Sequence, residues 1–230
     1  MSEQYISISL PSKGLAYKNV EKDKICIRPF TGKEEMLMAE LNVNNVNQKL
    51  TAVLKNVLQG IDPKKLTTGD AKYIMLWEAI NSYTSDFLLD VTCEQCLQSS
   101  PIKFDLTKIN SVELPDEYKE PQNIELSNRV VNVRLITLED EISAVDWVKH
   151  NKSIYLYNYA KSIVDDKLTM LDKLQMLEDM STKDLKLIKD FHKKYEHGPD
   201  MLANYTCPLC GNEGKLVLPF RYDILFSFDR

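Results

Sequence analysis

The chain has 230 residues, 43% of them hydrophobic, with a formal net charge of −5 and a pI near 5.4. That is enough apolar material for a packed core in one large domain or two small ones, which excludes global disorder. The acidic balance argues against a general nucleic-acid binder. Only seven glycines occur, and no two are spaced as G-x-G. With no G-x-x-x-x-G-K-[ST] and no G-x-S-x-G, phosphate-cradling loops and hydrolase elbows are excluded. Three histidines and no H-E-x-x-H leave little for a zinc protease. Met1-Ser2-Glu3-Gln4 has no basic, apolar leader pattern, and no apolar run reaches bilayer length. The expectation is a protein of the cytosol, without a membrane partner, where paired cysteines read as metal ligands rather than disulfides.

The pattern predicts an α+β chain. Tyr5–Leu10 alternates with period two and reads as a strand, Pro11–Gly14 as a turn, and Lys24–Phe30 as a second strand. Thr31 and Glu34 have capping-box spacing, so a helix is expected from about Lys33 to Leu41. A second helix, about Gln48–Gln59, puts Leu50, Val53, Leu54 and Val57 on one face, with Gly60 as its stop. A third spans about Gly69–Tyr83. The stretch 110–123 carries Pro115 and Pro121 and reads as a polar linker. Beyond it, Ile124–Ile136 reads as a hairpin. Helices follow over about Thr137–Lys149, Lys152–Val164, Met170–Glu178 and Thr182–His197, with Gly198-Pro199 as the last stop.

Four cysteines form two C-x-x-C knuckles, Cys93/Cys96 and Cys207/Cys210. Such a turn aims both sulfurs at one point, and two turns complete a tetrahedral thiolate site for a structural zinc ion. Both knuckles lie between strand-like segments, which suits zinc-ribbon hairpins. A redox C-x-x-C would open a helix. A closed set of four cysteines also leaves no position for a catalytic water. Cys26, in Ile25-Cys26-Ile27, reads as a buried apolar bystander.

The 110 residues between the knuckles far exceed the spacing of an ordinary ribbon. An internal duplication accounts for this. At an offset of 106, Arg28, Thr31 and Glu35 fall on Arg134, Thr137 and Glu141; at 114, Thr68 falls on Thr182 and Cys93/Cys96 on Cys207/Cys210. The expected organisation is therefore two related halves, 1–109 and 124–230, joined by the 110–123 linker into one compact unit. Each half contributes one knuckle hairpin to a shared, zinc-ribbon-like site of four cysteines.

Other candidates have plainer readings. His192, His197 and His150 suit helix C-termini. Asp165-Asp166 and Glu178-Asp179 read as solvated ends. Tyr155, Tyr157 and Tyr159 read as helix packing or a protein interface rather than a base-stacking platform. Phe220, Ile224, Leu225, Phe226 and Phe228 divide equally between packing and partner docking.

Leu10-Pro11-Ser12-Lys13-Gly14-Leu15, Ile27 to Glu35, Asp62 to Asp70, and Ser82-Tyr83 with the following C-x-x-C together form an ordered string. Over about residues 8–106 it resembles the baseplate hub proteins of T-even-like contractile-tailed bacteriophages. The resemblance implies a non-enzymatic structural or assembly component that binds other tail proteins and takes no small-molecule substrate. It would reside in the host cytoplasm during assembly or in the tail baseplate of the virion. A hub chaperone absent from the finished particle is the nearest alternative. A zinc-ribbon nucleic-acid- or polymerase-binding regulator is a reading of another class, suggested by Lys183, Lys186, Lys189, Lys193 and Lys194 on one helix.

Overall fold

The computed structural model describes residues 4–21, 24–40, 46–150, 156–221 and 225–226; for 46–47, 146 and 148–150 it describes the backbone alone. It is mixed α+β, built from helices and small antiparallel sheets. A short hairpin, β1 (Ile6–Ser7) and β2 (Cys26–Ile27), gains a third strand, β3 (Leu58–Gln59), on the far side of β2. Between β2 and β3 run α1 (Gly32–Ala39) and α2 (Val46–Val57). After α3 (Thr68–Glu78) a wider turn, Ala79–Tyr83, leads to the first knuckle hairpin, β4 (Asp86–Thr92) and β5 (Ser99–Asp105).

The C-terminal part begins with β6 (Asn110–Val112) and the hairpin β7 (Gln122–Glu125) and β8 (Val130–Val133). Helices α4 (Leu138–His150), α5 (Tyr157–Ser162), α6 (Met170–Glu178) and α7 (Thr182–Lys194) follow. Then come β9 (Gly198–Asp200) and the second knuckle hairpin, β10 (Leu202–Thr206) and β11 (Glu213–Val217). No described helix is long and apolar enough to cross a membrane.

Several boundaries differ from the sequence reading for physical reasons. Gly60 does not end α2, because Leu58-Gln59 peel away to pair with β2. The positive φ of Gly60 is needed because a Cβ there would run into the Lys24 carbonyl. Helix α7 stops at Lys194, and Gly198-Pro199 instead begins β9, paired with β6. Residues 110–123 are more than a polar linker. They supply β6, and Leu114 (0% exposed) and Tyr118 enter the core. Cys26 is half-buried rather than buried. Ile224, Phe228, Tyr155 and the His150 side chain lie outside what is described.

Two hydrophobic clusters form. The first gathers residues from Ile8 to Leu106 and adds Leu138, Met201, Tyr205, Cys207, Leu218, Leu225 and Phe226 from the C-terminal part. The second centres on Leu114, Val133, Leu135, Ala160, Leu177, Ile188 and Phe191. The second knuckle hairpin thus packs into the core of the first part. Phe226 resolves one open reading as packing, since its ring lies 5.7 Å from Phe30 and 5.4 Å from Tyr83.

One set of hydrogen bonds occurs twice. Arg28 Nη1 and Nη2 donate to the two carboxylate oxygens of Glu34 (3.1 and 3.3 Å), and Nη1 also donates to Pro29 O. Arg134 makes the same fork to Asp140 (2.6 and 2.9 Å) and donates to Leu135 O. Thr31 N–H donates to Glu34 and Thr137 N–H to Asp140, each at 2.9 Å. A second set recurs one helix later. The Thr67 and Ser181 hydroxyls cap α3 and α7 by accepting from Asp70 N and Asp184 N. Those aspartates reach back to Ser12 N (2.9 Å) and Ser127 N (3.0 Å) in the turns of the two opening hairpins. Ile163, bridged to Val133, stands where β3 stands beside β2. Helix α6 then fills the extra length before α7.

The parts meet through Thr68 N donating to Ile136 O and Leu138 N donating to Leu66 O. Gly198 approaches Gly69 so closely that a Cβ would sit 2.6 Å from Gly69 O.

Candidate metal centre

Each knuckle is shaped by its backbone. Cys93 N donates to Gln98 O (3.0 Å) and Leu97 N to Cys93 O (2.9 Å); Cys207 N donates to Asn212 O (2.8 Å) and Gly211 N to Cys207 O (2.9 Å). The residue after each second cysteine must take a positive φ. Gly211 does so freely at 74°, whereas Leu97 adopts 57° with a side chain. The turns sit at the tips of β4–β5 and β10–β11, and packing of the second hairpin into the first cluster brings the tips together.

The result is one cluster of four sulfurs, all within 4.8 Å of one another. Cys93 Sγ lies 3.7 Å from Cys210 Sγ, and Cys96 Sγ lies 3.8 Å from Cys207 Sγ. A disulfide would need about 2.05 Å. A tetrahedron of sulfurs around zinc, with bonds of about 2.3 Å, has edges of about 3.8 Å. Cys93 and Cys207 are buried, and Cys210 faces solvent. The Cys96 amide, helped by that of Gln95, holds the Cys93 thiol down to about 6 against the burial that raises it. At Cys210 the Asn212 amide pulls downward too. Burial and the sulfurs of Cys207, Cys93 and Cys96 outweigh it and push the thiol up to about 12. Four thiols this close cannot all ionise without a cation among them, so the donor set fits a dication. Asn212, whose side-chain amide lies 3.8 Å from Cys93 Sγ, is a supporting residue that the C-x-x-C pattern does not reveal.

Among the described residues the other candidates form no second metal-holding cluster. His197 lies beyond the last turn of α7 and is buried, with Nε2 2.7 Å from Thr67 Oγ1 and Nδ1 3.0 Å from Tyr195 O, and so ties the two parts together. Burial, with Arg134 nearby, pulls His192 down to about 4. It is therefore neutral at pH 7 and cannot serve the helix dipole as expected. Tyr157 is buried against Trp147, and Tyr159 packs on His192. Asp165-Asp166 and Glu178-Asp179 stay apart, at the two ends of the α6 segment. Lys183, Lys186, Lys193 and Lys194 are exposed along α7 from its first turn to its last, with Asp190 exposed among them and Glu196 just beyond.

Comparison with curated proteins and with solved structures finds no match. The family model described as T4 bacteriophage base plate protein matches residues 3–221, a span holding both knuckles and every element between them. With nearly its whole length inside that match, the chain belongs to the T4 bacteriophage base plate protein family.

Proposed function

We propose that the protein is a non-enzymatic structural or assembly component of a contractile-tail baseplate hub. In this reading it is held together by one structural zinc ion on Cys93, Cys96, Cys207 and Cys210, and it binds other tail proteins stoichiometrically. The observation that carries the reading is the convergence of all four sulfurs at tetrahedral-edge spacing in a chain of this family. Zinc would supply charge balance and a cross-link and no reaction step. A set of four thiolates has no open position for water.

We further infer that the chain is a duplication, with halves 1–109 and 124–230 forming one compact unit. The recurring Arg–carboxylate fork, at an offset of 106, and the recurring tethered aspartates, Asp70 and Asp184, at the offset of 114 that also aligns the knuckles, support this.

The test is metal content and its consequence. The full chain should carry one zinc per molecule by elemental analysis, and a strong chelator should lower its melting temperature by well over 10 °C. Structural zinc binding is worth about 10–16 kcal/mol in small peptides. A chain that purifies without metal and melts unchanged under chelation overturns the zinc reading. Mass spectrometry of purified virions separates a resident hub component from a chaperone that leaves.

A further inference from the structure

The contact between the two parts uses different surfaces on each, and among the described residues the backbone counterpart of each surface meets no other element. The cap of α3 docks on the strand end before α4: Thr68 N donates to Ile136 O and Leu138 N to Leu66 O. Lys64 Nζ lies 3.9 Å from Glu139 Oε1 across the joint, and Ile142 on α4 packs against the first core cluster. The offsets that align the recurring bonds carry Leu66 and Thr68 to Met180 and Thr182, and Ile136 and Leu138 to Phe30 and Gly32. These counterparts do not meet each other. Among the described residues, none of Thr182 N, Gly32 N, Phe30 O and Met180 O finds a backbone partner in another element. Thr67 is buried in its joint, whereas Ser181, Thr31 and Gly32 are exposed. A cavity of about 630 Å³, lined in part by Met176, Met180 and Ser181, opens beside the uncovered cap.

Two side chains at these surfaces identify what would fit. The counterpart of Ile142 is Met36, an apolar residue left 71% exposed on α1. The counterparts of Lys64 and Glu139 are Glu178 and Lys33, the same ion pair with its charges reversed, both exposed. A cap that presents Glu178 and a strand end that presents Lys33 and Met36 are complementary, and both lie on this one chain.

We propose that a second copy of this chain docks head to tail, its Phe30–Met36 edge seated on the Glu178–Thr182 cap of the first. Because the two surfaces differ, the contact is heterologous, and repetition closes a ring or extends a fibre. The proposal rests on the duplication inferred above and is independent of zinc and of any hub partner.

The experiment is sedimentation of the full-length, metal-replete protein from micromolar to millimolar concentration. The wild type should grow in mass with concentration, less so in high salt. Lys33→Glu and Glu178→Lys should each weaken association about tenfold or more, since like charges then face each other. The double variant should recover it, and Met36→Asp should abolish it with the circular dichroism spectrum unchanged. A protein that stays monomeric throughout overturns the proposal, as does association indifferent to all four variants or not recovered by the charge swap. None of these results touches the duplication itself, which stands on the recurring bonds.

Discussion

Helix α3 and helix α7 occupy the same place in the two parts, yet one residue on them differs in kind. Glu78 stands eleven residues after the Thr67 cap, and His192 eleven after the Ser181 cap. Glu78 is buried and His192 half-buried, each near the forked arginine of its own part, Arg28 or Arg134. Burial pushes Glu78 up to about 8, although Ser82 Oγ and Phe30 N donate to its Oε2. Its Oε1 has no hydrogen-bond partner among the described residues, which leaves room for a proton. Burial pulls His192 down to about 4. An acid and a base are thus both held neutral at pH 7. Neither, while neutral, competes with the bonded carboxylate for the charge of the arginine. Glu34 shows the consequence: burial raises it, but Arg28 and the Thr31 amide prevail and lower it to about 2.

The comparison breaks or sharpens first at the forks. Arg28→Ala and Arg134→Ala each leave a carboxylate buried without its partner, which typically costs about 3–5 kcal/mol. Denaturant titration should find both losses in that range. Arg28→Ala is expected to be the worse, because Glu34 is fully buried whereas the Arg134 side chain is 28% exposed. A loss below about 1 kcal/mol at either site would show that the two forks are not equivalent supports.

The next effect is in pH, and its sign is opposite in the two parts. Between about 4.5 and about 8 the unfolded chain has released the Glu78 proton and the folded chain keeps it, so stability falls as pH rises. Between about 4 and 6.5 the unfolded chain protonates His192 and the folded chain does not, so there stability rises with pH. Glu78→Gln should therefore stabilise by on the order of 1–3 kcal/mol at pH 8 and little at pH 5. His192→Gln should help near pH 4.5 and not at pH 8. Melting temperatures of the two variants that drift in the same direction with pH would refute the contrast.

The smallest effect is at the caps. Thr67→Ala and Ser181→Ala each lose a helix cap, worth about 1 kcal/mol. Thr67 also contacts His197, so its loss should exceed that of Ser181. Equal losses would mean that the His197 contact contributes nothing.

What the sequence disclosed follows how local each interaction is. Two C-x-x-C turns are readable because three residues set their geometry, and Thr31 with Glu34 is readable for the same reason. The forks were only half visible. Matching identical residues pairs Glu35 with Glu141, while the arginines hold the neighbouring Glu34 and Asp140, where the residue type changes. The burial of Leu114 and Tyr118 depends on partners far along the chain, so a proline-bearing polar stretch looked like a linker. His197 gave no local sign that it would meet Thr67, 130 residues away. Short pairings such as Cys26 with Gln59 depend on where α1 and α2 return the chain, which no period-two pattern encodes.

The wide separation of the knuckles also carries a consequence in time. Cys93 and Cys96 leave the ribosome more than a hundred residues ahead of Cys207 and Cys210. At about 5–20 residues per second, the first pair waits on the order of ten seconds for the second. During that interval the early thiols are open to oxidation or to borrowing ligands from a neighbouring chain. The sulfur cluster can close only when translation has passed residue 210, so a nascent chain that stalls earlier is left unclosed.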